Sequence, residues 1–266
     1  MVKLYEDTNI KAIADAIRAK NGTTTTYKTS EMAKAIANIA TGGGDDTEFI
    51  KMVECKSGYT LNIPEGTTQI GLNCFYYDKN IKSIVCPESA KIIYESAFYG
   101  CSSLTSAEFK GATDIGKNAF RDCTKLSSLI INACTDISGT YAFRGCTQLT
   151  TFNAPAMTYI NSYAFHSCTS LTTVNIPNIV ELGSNIFEGC TALRNIYIPA
   201  SCTTIWASGT GASLFKSCSA DLHIYCSASA QPENWGEYWN YNASTSGTFN
   251  VTWGVTPEQY NSIVNG

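Results

Sequence analysis

Residues 160–176 read I-N-S-Y-A-F-H-S-C-T-S-L-T-T-V-N-I, with the apolar letters at fixed offsets around Phe165. The same spacing returns at Ile93 to Phe109, Ile115 to Ile131 and Leu182 to Ile198, anchored by Phe98, Phe120 and Phe187. Phe75, Phe143 and Phe215 anchor three slightly altered copies, so that successive anchors lie 23, 22, 23, 22, 22 and 28 residues apart. A period in the low twenties marks a solenoid whose single coil cannot bury its apolar side alone. The self-similarity runs from about residue 60 to 226, which predicts one elongated body for most of the 266-residue chain.

Within each copy, Ala97, Ala119, Ala142 or Ala164 precedes the anchor, and Leu104, Leu126, Leu149, Leu171 or Leu193 follows six residues after it. Positions nine and eleven after the anchor are apolar again, as in Val174 and Ile176 or Ile196 and Ile198, and alternate with other residues as a short strand does. Stacking these strands in register predicts a parallel sheet on one side of an α/β repeat solenoid, with turns and short helical segments on the other. Cys101, Cys123, Cys146, Cys168, Cys190 and Cys218 each fall three residues after an anchor and form a column. Reduced, buried thiols suit such an inward place; neighbours about one strand spacing apart, roughly 4.8 Å, also come near disulfide range.

Outside the repeats, residues 1–40 read as a helical hairpin. Ile10, Ile13, Ala14 and Ile17 share one face, Met32, Ile36 and Ile39 another, and Asn21-Gly22 breaks between them. So narrow an apolar face is marginal alone and is expected to dock; the hairpin either packs on itself or on the solenoid end, or serves as an anchor or oligomerisation segment. The Gly-rich stretch 41–46 is a flexible linker. Residues 47–226 form the solenoid, opened by a cap hairpin that turns at Ser57-Gly58, and residues 227–266 form an aromatic C-terminal cap in which Phe249, Val251 and Trp253 alternate like one further strand.

The unit I-x-x-x-A-F-x-x-C-x-x-L-x-x-V-x-I-P resembles the BspA-type leucine-rich repeat of bacterial surface and phage-encoded proteins. Its A-F-x-x-C-x-x-L core stands intact at Ala97 to Leu104, Ala119 to Leu126, Ala142 to Leu149 and Ala164 to Leu171. Departures are mild: Cys74 and Asp78 replace the Ala and Cys of the first unit, and residues 206–213 hold an insertion. The resemblance implies a curved, right-handed leucine-rich-repeat stack used for adhesion or recognition. The hairpin, with I-A-D-A-I-R-A-K-N-G at Ile13 to Gly22, is similar to amino-terminal segments of tail-associated proteins of phages infecting Gram-positive gut bacteria.

Several function classes recede on composition. A net charge of −4 with 15% charged residues lacks the basic footprint of a nucleic-acid binder. No run of 18 apolar residues suggests membrane insertion, and the start V-K-L-Y-E-D-T-N has no secretory leader pattern. The cysteine column cannot converge four ligands on one zinc, and no phosphate-cradling glycine loop is present, so neither metal nor cofactor is expected. His166 and Cys168 are expected on opposite sides of their turn, which leaves no nucleophile and base pair. Glu233 and Glu237 lack a cleft of the kind glycoside hydrolysis requires, and no catalytic residue is assigned.

What remains is recognition. The outward strand face becomes amide-rich and aromatic toward the C-terminal end, through Asn153, Asn175, Asn195, Tyr197, His223 and Tyr225, a composition typical of binding surfaces although β-propensity alone could place Tyr there. Trp235 and Trp239, beside Tyr238 and Tyr241, either form a lid on the open solenoid end or a platform for sugar rings. The expected partner is a bacterial surface glycan or protein, presented by a virion or phage tail or, alternatively, by a bacterial surface or secreted adhesin that binds host or matrix proteins.

Overall fold

The computed structural model describes residues 59–207, 209, 211, 213–242 and 245–265. The expected helical hairpin at 1–40, the linker at 41–46 and the leading arm of the cap hairpin at 47–58 lie outside the described residues.

The alternating positions of each copy do form strands. β1 (Tyr59–Asn62), β3 (Ile81–Cys86), β5 (Ser106–Phe109) and β7 (Ser128–Ile130) pair in parallel, as do β9 (Thr151–Asn153) with β11 (Thr173–Asn175) and β13 (Asn195–Ile198) with β15 (His223–Cys226). Register follows the repeat, so Ser83 faces Ser106 and Ser106 faces Ser128, while Thr151 faces Thr173 and Asn195 faces His223. Pro87, Pro155, Pro177 and Pro199 each stand just beyond a strand end, where a residue without an N–H stops the ladder.

The opposite wall differs from expectation. Instead of helical segments it carries a second, seven-stranded parallel ladder of two-residue strands: β2 (Gln69–Ile70), β4 (Ile92–Ile93), β6 (Asp114–Ile115), β8 (Asp136–Ile137), β10 (Tyr159–Ile160), β12 (Glu181–Leu182) and β14 (Thr204–Ile205). The aliphatic residue five positions before most anchors is the inward member of this pair, and the coil is a β-solenoid rather than an α/β one. With only about 22 residues per coil, two strands and the turns around the anchor leave no length for a helix.

A third seam runs through the anchor turns. Residues two before and two after the anchor take positive φ, as at Asn118 and Asp122 (φ 54° and 58°) or Tyr163 and Ser167 (60° and 61°). That left-handed pair curls the chain around the phenylalanine and leaves alternate N–H groups pointing at the next coil. Thus Asn73, Phe75 and Tyr77 donate to the carbonyls of Glu95, Ala97 and Tyr99 at 3.1, 2.8 and 2.6 Å, and the pattern repeats down the stack.

Inside, the seven anchor rings form one column. Phe75, Phe98, Phe120, Phe143, Phe165, Phe187 and Phe215 stack with centroids 5.2–5.8 Å apart and planes within 13° of parallel; all are fully buried. At this separation the rings are offset, the arrangement favoured by their quadrupoles. Beside them each thiol donates to the anchor carbonyl of the preceding coil, as Cys123 Sγ to Phe98 O at 3.1 Å and Cys168 Sγ to Phe143 O at 3.1 Å. The described cysteines are free thiols. Burial pushes the thiols of Cys123, Cys168, Cys190 and Cys218 upward, that of Cys218 to about 12, so their reactive thiolates are strongly disfavoured.

The C-terminal end closes over this core. β16 (Asn250–Trp253) adds in parallel to β15, with Val251 opposite Ile224, as the alternation of Phe249, Val251 and Trp253 predicts. The Phe215 ring meets Phe249 edge-on at 6.0 Å, which ends the stack. Trp235 and Trp239 are 3% and 1% exposed and pack edge to face at 4.7 Å. Their indole N–H groups donate to Cys202 O (3.0 Å) and Gln231 Oε1 (3.2 Å). Gly236, between them, has no alternative: a Cβ there would lie 2.2 Å from Ala207 O.

Candidate functional site

One short helix decides what the outward face can do. Thr256 caps it reciprocally, its Oγ1 accepting from Gln259 N (3.2 Å) while its own N–H donates to Gln259 Oε1 (2.8 Å). Pro257 then opens α1 (Pro257–Asn265) with a residue preset for the first helical position. The helix folds back across the long-strand ladder. Its Tyr260 ring lies 5.3 Å from that of Tyr197 and 5.4 Å from that of Tyr225, and burial there raises the Tyr260 phenol to about 12.

Between helix and ladder lies a groove of about 590 Å³, floored by Thr173, Asn175, Asn195 and Tyr197 and walled by Tyr260 and Asn261. Arg194 is held by the carbonyls of Thr191 (2.7 Å) and Leu193 (3.3 Å) and is the one charged residue of the lining among the described residues. Amides, a hydroxyl and two aromatic rings therefore converge in a space large enough for a small ligand. Such a set offers donors and acceptors in balance, with flat apolar faces between them, and no strong field.

The expected binding residues divide accordingly. Asn175, Asn195 and Tyr197 meet in the groove. Asn153 stands one rung away and accepts from Asn175 Nδ2 at 2.6 Å, which fixes the orientation of the amide below it. His223 bonds Thr252 Oγ1 through Nε2 at 2.7 Å and stacks on Tyr225 at 4.5 Å. Tyr225 itself is buried beneath Tyr260, so it supports the floor and does not touch a ligand while the helix is seated. Trp235 and Trp239 are corrected outright: their faces are consumed by the core, which makes them the lid and removes them from any sugar platform. Tyr260 and Asn261 escaped sequence reading, because the 257–265 stretch is mostly polar and lies beyond the repeat; the Thr256-Pro257-x-Gln259 cap is the signal that could have found the helix.

His166 and Cys168 do not make a catalytic pair. His166 Nδ1 bonds its neighbour Ser167 Oγ at 2.8 Å, while the Cys168 thiol points inward to Phe143 O. Desolvation lowers the His166 pKa, with Glu188 acting in the opposite sense.

Comparison with known proteins identifies the repeat. The family model described as BspA type leucine rich repeat region matches in six copies, over residues 52–157 and 113–236. A leucine-rich repeat protein from Eubacterium ventriosum is 27% identical with a TM-score of 0.53, covering 62% of this chain and 44% of that one. Another from Bacteroides ovatus is 26% identical with a TM-score of 0.50, covering 63% and 47%. A leucine rich cell surface protein from Faecalibacterium prausnitzii is 26% identical with a TM-score of 0.43, covering 77% and 62%. This chain thus spans less than half the length of the first two. No curated protein matches. The family model extends over well more than half of the residues, and the chain belongs to the BspA-type leucine-rich repeat family.

Proposed function

We propose that the chain is a non-catalytic recognition module that binds a bacterial surface glycan or protein in the groove between its outward ladder and the terminal helix. The observation that carries this is the convergence of Asn175, Asn195, Tyr197 and Tyr260 around one cavity. Rings with amides between them suit hydroxyl-rich or amide-rich ligands, and the near absence of charge favours a neutral one. In this reading residues 1–40 attach the module to a virion or phage tail, or join copies of it, through the linker at 41–46. The alternative setting is a bacterial surface or secreted adhesin directed at host or matrix proteins. A right-handed sense for the coil follows the strong general preference of parallel strand crossovers.

Binding of purified protein to intact Gram-positive cells, with free sugars as competitors, tests the proposal. The double substitution Asn195→Ala and Tyr197→Ala is expected to abolish binding; cell binding that survives it unchanged removes the groove from consideration.

A further inference from the structure

We infer a second binding surface, on the edge formed by the anchor turns: a ribbon of tyrosine rings and guanidinium groups that takes an acidic polysaccharide chain. It shares no residue with the groove and does not depend on the reading given for it.

The ribbon crosses five successive coils. Tyr76 and Tyr77 are 47% and 48% exposed; their rings meet edge-on at 4.7 Å, and Tyr76 stacks on Tyr99 at 5.1 Å. Arg121 lies over Tyr99 (5.2 Å) and Tyr141 (5.9 Å), Arg144 over Tyr141 (5.5 Å), and Tyr141 stacks on Tyr163 at 4.9 Å.

Two features show that the coil accommodates these rings at a cost. Tyr77, Tyr141 and Tyr163 hold φ of +56°, +61° and +60°, a region unfavourable for bulky residues, where equivalent positions in other coils carry Asn, Asp, Ser or Gly. Gly100 gives up its side chain under Tyr77, since a Cβ there would fall 2.6 Å from the ring. Tyr77 keeps 48% of its surface open despite this backbone and its glycine shelf, so its ring and that of Tyr76 remain available for contact with a ligand.

The chemistry of the edge selects the partner. Backbone N–H groups at alternate turn positions are already spent on the next coil, so an extended peptide cannot add here as a strand. The open parts of the Tyr76 and Tyr77 rings, ring edges farther along the ribbon and guanidinium edges are what remains. Rings pack against the C–H faces of sugars, and a guanidinium grips a carboxylate through two parallel bonds. Asp122 holds Arg121 by its Nε at 3.5 Å, so reading the acid falls mainly to Arg144. One such step per coil suits a polymer, because weak contacts along a linked chain multiply.

Affinity electrophoresis of the full chain in gels containing polygalacturonate or, in parallel, dextran tests the inference. Retardation by polygalacturonate alone is expected. Arg144→Gln should weaken it about tenfold, through loss of a charge-assisted contact, and Tyr76→Ser about fivefold, through loss of a ring face. Arg144→Lys, which keeps charge without the fork, should fall between parent and Arg144→Gln, and unchanged urea midpoints confirm that the variants fold. The inference is overturned if polygalacturonate does not retard the protein, if dextran retards it equally, if the variants match the parent, or if Asn195→Ala in the groove abolishes retardation.

Discussion

The anchor column and the outward column of the long ladder pass through the same coils at the same spacing, yet one repeats a single residue and the other drifts. Seven phenylalanines occupy the first, all fully buried. The second runs from Ser83 and Val85 through Asn153 and Asn175 to Tyr197 and His223. An inward ring must match its neighbours above and below at a little over 5 Å, and its backbone must also bond the next coil; a different side chain would leave a gap or a clash in both neighbours at once. An outward residue answers only to its rung partners and to solvent. The coil fixes position for both columns but identity for only one, and the second is where recognition can be written without cost to the stack.

The sharpest way to break that contrast is to delete a ring from the middle. Phe143→Ala should lower stability by about 3–5 kcal/mol, because the cavity lies between Phe120 and Phe165 and neither can collapse into it; a shift in urea midpoint at constant m-value measures this. Next comes the thiol column. Cys146→Ala removes the Sγ bond to Phe120 O at 3.2 Å and should cost about 1 kcal/mol. The column thiols of the native chain should also resist a thiol-specific reagent until urea is added, since they are buried in the core. At the far end of the scale, Thr173→Ala on the outward face should change stability by less than about 0.5 kcal/mol, while Leu171→Ala, two residues earlier and fully buried, should cost about 2–5 kcal/mol. Equal losses for Thr173→Ala and Leu171→Ala would erase the distinction between the columns.

The repeat was legible because packing demands repetition: the spacing of Phe, Cys and Leu states which atoms face inward before any coordinates are known. The second ladder was not, since strands of two residues are too short to display alternation and their inward member reads as one isolated aliphatic. The fate of Trp235 and Trp239 could not be chosen from sequence, where a lid and a platform look alike. Indole bonds to Cys202 O and Gln231 Oε1, together with the tight fit at Gly236, decide for the lid. Asn175, Asn195 and Tyr197 were legible as a face but not as a groove, because the wall comes from α1, a nine-residue helix whose apolar face of Pro257, Tyr260 and Val264 is too short to stand out in the sequence and whose contacts depend on a turn at Gly254 (φ 74°). The tyrosine ribbon was hidden for a related reason, as its members occupy three different offsets from the anchor and converge only when the turn curls through positive φ.

The three seams between coils have a corollary for how such a molecule can change length. Donors at the anchor turn of one coil are aimed at acceptors on the turn that follows, and each thiol reaches back to the turn before, so any two adjoining coils present complementary faces wherever they sit in the stack. Duplication or excision of 22 or 23 residues restores every one of these matings, whereas a change of half that size would set ring against strand and strand against turn. The body is thus extensible only in whole increments, like a ruler cut at its graduations, and its reach can be altered by recombination while both ends stay intact.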